Sequence, residues 1–241
     1  RGAIAVLTID NPPANALSFA VCKALSEIIP DCMANDTITA LVLTGAGRMF
    51  MAGADIREFN LQRPADVPDF HEVLGAMEAA PKPIVAAING VALGGGLELA
   101  MGCHYRLIAP GAQVGQPEIK LGFIPGAGGT QRLPRLAGIE AALDMIVGGD
   151  PVSAERAVEL GIADELVHDG TAEERAVALA RSLAALPPHA FGLVKRHLAM
   201  APLSLESTLE MEAMAQSLAF SGPEFAEGRD AFADKRKPNF R

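Results

Sequence analysis

Between Asn89 and Pro134 the chain reads NGVALGGGLELAMGCHYRLIAPGAQVGQPEIKLGFIPGAGGTQRLP, with a triple glycine, two carboxylates twenty positions apart and a second glycine-rich turn. Ile84-Val85-Ala86-Ala87-Ile88 before it is a short apolar, partly β-branched run ending at Asn89-Gly90, the pattern of a buried strand followed by a turn. Leu97-Glu98-Leu99-Ala100-Met101 are helix formers, so Gly94-Gly95-Gly96 fall at a helix start. N–H groups in a first helical turn lack internal partners, and the macrodipole adds partial positive charge there. A bare N–H at Gly95 is therefore suited to an oxygen that becomes negative during a reaction, and Glu98 lies on the same turn.

Glu118 follows Gln113-Val114-Gly115-Gln116-Pro117, and Pro117 favours an extended residue before it, which places Glu118 just past a strand end. Pro125-Gly126-Ala127-Gly128-Gly129-Thr130 adds a second stretch of accessible backbone. Taken singly, Glu98 reads as a first-turn residue that favours the macrodipole, and Glu118 as a solvated loop residue. Taken together, two glutamates, a helix-start donor and a bare loop compose an acid/base site. Nucleotide-binding patterns fail on spacing: the sixth position is Leu99 counted from Gly94 and Gln131 counted from Gly126, and no Lys-Ser/Thr pair follows either cluster.

Ala92-Leu93-Gly94-Gly95-Gly96-Leu97-Glu98-Leu99-Ala100, Gly115-Gln116-Pro117-Glu118 and Pro125 to Leu133 together resemble the signature of the crotonase superfamily, enoyl-CoA hydratases in particular. The likeness extends to Ala52-Gly53-Ala54-Asp55-Ile56 and to Lys235-Arg236-Lys237-Pro238, and so spans essentially the whole chain. It implies an α/β fold, a spiral of repeated strand-strand-helix units over residues 1–188, with a helical oligomerisation region over 189–241. The implied activity is hydration of 2-trans-enoyl-CoA to 3-hydroxyacyl-CoA in fatty-acid or related acyl-CoA oxidation. Glu98 is then the residue that deprotonates the attacking water, and Glu118 the proton donor to C2. The backbone N–H groups of Ala52 and Gly95 form the oxyanion hole. Ala52 to Ile56, Gly95 and Gly126 contact the substrate, with Arg57, Lys235 and Lys237 as candidate cations for the coenzyme A phosphates. No metal and no separate cofactor is expected, because coenzyme A enters as part of the substrate. Expected partners are the acyl-CoA thioester and further copies of the chain in a homotrimer or a hexamer of paired trimers.

A net charge of −9 argues against general nucleic-acid binding, which needs a surplus of Lys and Arg. No apolar run approaches the length of a membrane span. Cys22, Cys32 and Cys103 have no CxxC spacing and suit a reducing compartment. A cytoplasmic location is expected, with an organelle left open because the chain begins at Arg1 rather than methionine.

Elsewhere the pattern predicts a strand over 3–9, a helix over 18–33, a strand over 41–44, a helix over 70–79, a helix opened by Ser153, a short strand over 163–167 and a helix over 171–186. Strand signals stop at Pro187-Pro188, and amphipathic helical patterns continue to Phe232, with Met200, Met211 and Met214 at core or interface positions. By the resemblance, the region from Asn60 through the 70–79 helix lines the acyl pocket. Competing chemistries lack their residues: His71-Glu72 is followed by Gly75 where an HExxH zinc helix needs its second histidine, and no GxSxG elbow exists. Two alternatives remain open on sequence. One is a 3-enoyl-CoA isomerase, which can operate with one carboxylate. The other is a non-catalytic RNA-binding homologue, whose expected basic surface and lost glutamate are both missing.

Overall fold

The computed structural model describes residues 1–168, 171–200 and 203–240. The elements run β1 (Ile4–Ile9), α1 (Phe19–Ala34), β2 (Ala40–Gly45), β3 (Met49–Met51), α2 (Phe70–Ala79), β4 (Ile84–Ile88), β5 (Val91–Leu93), α3 (Gly95–Met101), β6 (Tyr105–Ile108), β7 (Gln113–Gly115), α4 (Gly129–Ala137) and α5 (Ile139–Gly148). After these come β8 (Val152–Ser153), α6 (Ala154–Glu159), β9 (Glu165–Leu166), α7 (Ala172–Ala184), α8 (Pro188–Ala199), α9 (Leu205–Phe220) and α10 (Pro223–Ala233).

Two sheets result. One is parallel throughout in the order β1-β2-β4-β6-β9, and the other runs β3-β5-β7-β8, antiparallel only at β8. Three successive turns, β2-β3-α2, β4-β5-α3 and β6-β7-α4, each contribute a strand to the first sheet, then one to the second, then a helix, which is the strand-strand-helix spiral. β2 and β4 are buried along their whole length, as unbroken Val, Leu, Ile and Ala runs must be when both faces of a parallel sheet are covered. One face packs Leu41, Leu43, Ile84 and Ile88 with Leu25, Ile29, Leu74, Met77, Leu97 and Leu99 from α1, α2 and α3. The opposite face packs Ile4, Val42, Val85 and Leu107 against Ala176, Val177, Ala180 and Leu183 of α7.

Several boundaries differ from the sequence pattern. The strand expected over 163–167 shrinks to Glu165–Leu166, and α7 stops at Ala184 rather than 186. The second sheet is built of two- and three-residue strands, too short to display an alternation that a reader of sequence can recognise. β3, β5 and β7 are parallel neighbours, so the segments leaving them, 52–55, 94–98 and 116–118, emerge at one edge. The helices from α8 onward stand outside both cores to a large degree: Leu209, Met214 and Leu218 of α9 are 52%, 70% and 60% exposed.

Candidate active site

Glu98 is placed by two close approaches of bare backbone. α3 crosses β3 so tightly that a Cβ on Gly96 would sit 2.1 Å from the Met51 carbonyl oxygen, so only glycine fits. Gly94, with φ +52, is the residue ahead of the helix and turns the chain into it. Glu98 in the first turn is 3% exposed. Its Oε1 accepts the backbone N–H groups of Ala127 and Gly129, both at 2.7 Å. Gly128 between them is left-handed, φ +96, which turns two N–H groups onto one oxygen in an anion nest. Burial raises the pKa of Glu98, while the two N–H donors and the Arg132 guanidinium oppose the rise by favouring the carboxylate. No protein donor to Oε2 is found among the described residues, so that oxygen faces the cavity available to a water.

Glu118 opens the 3-10 turn Glu118–Leu121 beyond β7, as the proline before it suggested, and is 6% exposed. Its Oε1 lies 2.7 Å from the point where a Cβ on Gly94 would stand, so the missing side chain at Gly94 is the space the carboxyl occupies. Buried Gln116, with its amide turned as its neighbours require, donates to both carboxyl oxygens at 3.0 and 3.1 Å. Burial, reinforced by the charge of Glu98, pushes Glu118 up to about 7. The two glutamates thus share one cavity in unlike surroundings: two backbone N–H donors on Glu98 oppose the rise that burial causes, while Glu118 is pushed up to about 7.

The electrophilic donors need one correction. The N–H of Ala52, expected as an oxyanion donor, is bonded to the carbonyl of Ala14 at 3.1 Å and is committed to the structure of the loop. Leu17 and Ala54 form a parallel bridge in which Leu17 N–H donates to Gly53 O and Asp55 N–H donates to Leu17 O. In such a bridge the bonded groups belong to the residues flanking Ala54, so the N–H of Ala54 itself points to the other side. That side is the cavity: the Ala54 nitrogen is 3.8 Å from the position of a Cβ on Gly95. The pair of bare donors is therefore Gly95 and Ala54.

The cavity holding these groups measures about 340 Å³. Ala52, Gly53, Ala54, Ile56, Gly95, Glu98, Glu118 and Gly126 all line it, together with Gly94, which the sequence reading named only as part of the glycine run. Asp55 does not; it caps the following turn by accepting the Arg57 N–H and is gripped by the Arg57 guanidinium through bonds of 2.8 and 2.6 Å. Arg57 therefore answers a carboxylate before it can answer a phosphate, although its side chain is 74% exposed. Lys235 and Lys237 are exposed in the tail and do not line the cavity. Of the region expected to line the acyl pocket only Asp69 and Phe70 do so; 60–68 lie elsewhere, and Phe59, Leu121 and Phe123 supply the apolar wall. Phe59 and Phe123 meet edge to face at 5.4 Å. The partners of Glu98 at 127 and 129, Gln116 and the Phe59-Phe123 wall were not assigned from sequence, because each acts through a contact distant in the chain. Among the described residues no group of three His, Cys, Asp or Glu side chains is placed to hold a metal ion.

The family model for enoyl-CoA hydratase/isomerase matches residues 1–241. A probable enoyl-CoA hydratase of Bacillus subtilis is 41% identical over 245 aligned positions, 99% of this chain and 95% of that one. A peroxisomal fatty acid beta-oxidation multifunctional protein of Arabidopsis thaliana is 47% identical over 68% of this chain but only 24% of its own length. Among solved structures, an enoyl-CoA hydratase from Bacillus anthracis superposes with a TM-score of 0.88 at 36% identity, covering 98% of this chain and 95% of that one.

Proposed function

Because the chain belongs to the enoyl-CoA hydratase/isomerase family, we propose that it adds water across the C2=C3 bond of a 2-trans-enoyl-CoA to give the 3-hydroxyacyl-CoA. The observation that carries this reading is a pair of buried glutamates in unlike surroundings, facing one cavity beside two unengaged backbone donors. The thioester oxygen sits between the N–H groups of Gly95 and Ala54, which stabilise the enolate that forms when C3 is attacked. Loss of one such donor typically costs about two to three powers of ten in rate. Oε2 of Glu98 accepts a proton from the attacking water, its partner Oε1 being fixed by Ala127 and Gly129. Glu118, protonated for a large fraction of the time at neutral pH, delivers a proton to C2. Gly126 keeps space open beside the acid, since a Cβ at that position would meet no atom nearer than 4.0 Å.

No metal or separate cofactor is needed, since coenzyme A arrives as part of the substrate and the backbone donors supply the electrophile. The phosphates of coenzyme A are met by Lys235 and Lys237 from the tail of a neighbouring copy, with Arg57 contributing only its donors left over from Asp55. The uncovered apolar residues of α9 and α10, Phe232 at 87% exposure among them, support assembly into a homotrimer, paired into hexamers. Three free, buried thiols suit a reducing compartment such as the cytoplasm. The Arabidopsis relative's name places that protein in fatty acid beta-oxidation, and the same class of pathway fits this chain.

The test follows loss of the conjugated enoyl-thioester absorbance over a chain-length series, with Glu98→Gln and Glu118→Gln beside the wild type. Both variants should lose hydration. Near-full activity in either one refutes the assignment, and faster turnover of a 3-enoyl substrate than of the 2-enoyl one would make the protein an isomerase instead.

A further inference from the structure

We propose that Arg132, backed by Glu78, is a positioning residue that aims the base Glu98, by clamping the glycine-loop peptide that lies between the two whose N–H groups hold its carboxylate; the role in catalysis rests on the hydratase reading above. Oε1 of Glu98 is held by the N–H of Ala127 and the N–H of Gly129. Neither bond has value for aim unless those peptides are themselves fixed; they belong to a glycine-rich loop in which Ala127 packs into the core and Gly129 against Gln116 and Pro125. Arg132 holds this loop twice, once by its side chain and once by its backbone. Its Nη1 donates to Ala127 O at 2.7 Å, and its backbone N–H donates to Gly128 O at 2.8 Å. The second bond is the first backbone bond of α4 and is kept in any variant; the side-chain bond is the one a substitution removes, and it fixes the Ala127–Gly128 peptide, whose two neighbours carry the N–H groups that meet Glu98.

The guanidinium approaches the bare Cα of Gly128 by its Nη1 corner, where a Cβ would come within 2.1 Å of that nitrogen. Its far side is engaged by Glu78 of α2 through a two-point fork, Nε to Oε1 at 2.6 Å and Nη2 to Oε2 at 2.9 Å. A planar five-donor group is the one side chain able to make the fork and the carbonyl bond at once, so lysine cannot replace its geometry. The Arg132 side chain is only 18% exposed, which limits solvent screening of its charge.

Arg132 also acts on Glu98 through space. Its positive charge favours the carboxylate. The other charged or titratable groups near the base are His71 and Asp69 at the start of α2 and Glu118 beyond β7. Removing the Arg132 charge raises the pKa of Glu98, and the acid limb of the hydration profile moves to higher pH. Replacing arginine by lysine keeps most of the charge and loses the clamp, so it separates the two contributions.

The experiment compares wild type, Arg132→Met, Arg132→Lys and Glu78→Gln. The readouts are kcat and KM for a 2-enoyl-CoA, kcat/KM against pH, and thermal unfolding. Arg132→Met should lower kcat by about ten- to a hundredfold, the range expected when a catalytic group is misplaced by up to about 1 Å. KM should change little, and the acid limb should move upward. Arg132→Lys should lower kcat with little movement of the limb, and Glu78→Gln should lower kcat less than either. If Arg132→Met unfolds, Arg132→Lys and Glu78→Gln decide the matter. Variants that retain kcat within twofold and an unmoved acid limb, while Glu98→Gln is inactive, overturn the clamp and leave the hydratase reading intact. Should the wild type not hydrate enoyl thioesters at all, the clamp is still tested by 13C NMR titration of the Glu98 carboxyl, identified by its loss in Glu98→Gln. An upward displacement in Arg132→Met reports the charge; the clamp is supported if the amide resonances of Ala127 and Gly129 also move in Arg132→Lys, and is refuted if they do not.

Discussion

Replacing Glu118 by glutamine should make the protein more stable at alkaline pH while destroying its proposed chemistry. The carboxyl of Glu118 stands at about 7 against an ordinary 4.5, chiefly because burial disfavours the anion. Between those two values the folded protein binds a proton at this position that the unfolded chain has already released. The contribution of this group to stability therefore falls as pH rises through that window and is gone above about 7. At about 1.4 kcal/mol per pH unit the loss amounts to about 3 kcal/mol. Glutamine has the same shape and no titration, so Glu118→Gln escapes the penalty. Urea unfolding of both proteins at about pH 5 and about pH 8, at one fixed protomer concentration, isolates the effect, since every other group cancels in the difference. The gap between variant and wild type should widen in favour of the variant by most of that amount, on the order of 1 M in urea midpoint. Parallel stability profiles would refute the claim that burial holds this carboxyl protonated, and with it the assignment of Glu118 as the acid.

For the wild type the same shift predicts that kcat/KM for hydration falls as pH rises through about 7, where Glu118 loses its proton; a profile flat on its alkaline side would contradict it. Gly94→Ala should cost about 1–3 kcal/mol of stability for a side chain at φ +52. It should also lower kcat by more than it raises KM, because the new Cβ would stand 2.7 Å from Glu118 Oε1 and must displace it; equal kcat in a folded variant would refute the packing argument. Met214→Glu combined with Leu218→Glu places two charges on the uncovered face of α9 and should convert the assembly to smaller species in sedimentation velocity, whereas unchanged assembly would exclude that face from the interface.

The chemistry-bearing residues were legible because glycine and glutamate report on their surroundings through composition. A triple glycine before helix formers has few uses, and Glu98 follows from it at fixed spacing. The direction of an individual N–H is a different matter. Ala52 and Ala54 lie in one Ala-Gly-Ala run, and nothing in their identities says which N–H bonds back to Ala14 and which stays free. That choice is made by pairing with residues 14–17, some forty positions earlier, so the sequence reading chose Ala52 where the geometry favours Ala54. Arg57 illustrates the reverse failure: read as a free cation, it is tied to a neighbour two residues away, Asp55, whose capping role only the turn reveals. The second sheet escaped notice for a simpler reason, since strands of two or three residues carry no periodicity.

The arrangement of the site follows from the spiral more than from any one motif. Three successive turns of the chain add one strand each to the second sheet, and these strands, β3, β5 and β7, are parallel neighbours, so their carboxyl ends arrive side by side. Open sheets bind ligands at such ends because the departing loops are freed there together. Here the first turn delivers the Ala54 donor, the second delivers Gly95 and Glu98, and the third delivers Glu118. Adjacent strands are separated by about 4.8 Å, so two carboxyl groups leaving neighbouring strands are brought close enough to repel whenever both are charged. That repulsion adds to burial in raising Glu118, while the loop following β7 returns its 127 and 129 N–H groups to Glu98 alone. Which turn of the spiral each glutamate leaves, and where the glycine loop comes back, thus give two side chains of identical chemistry different surroundings and different proton affinities.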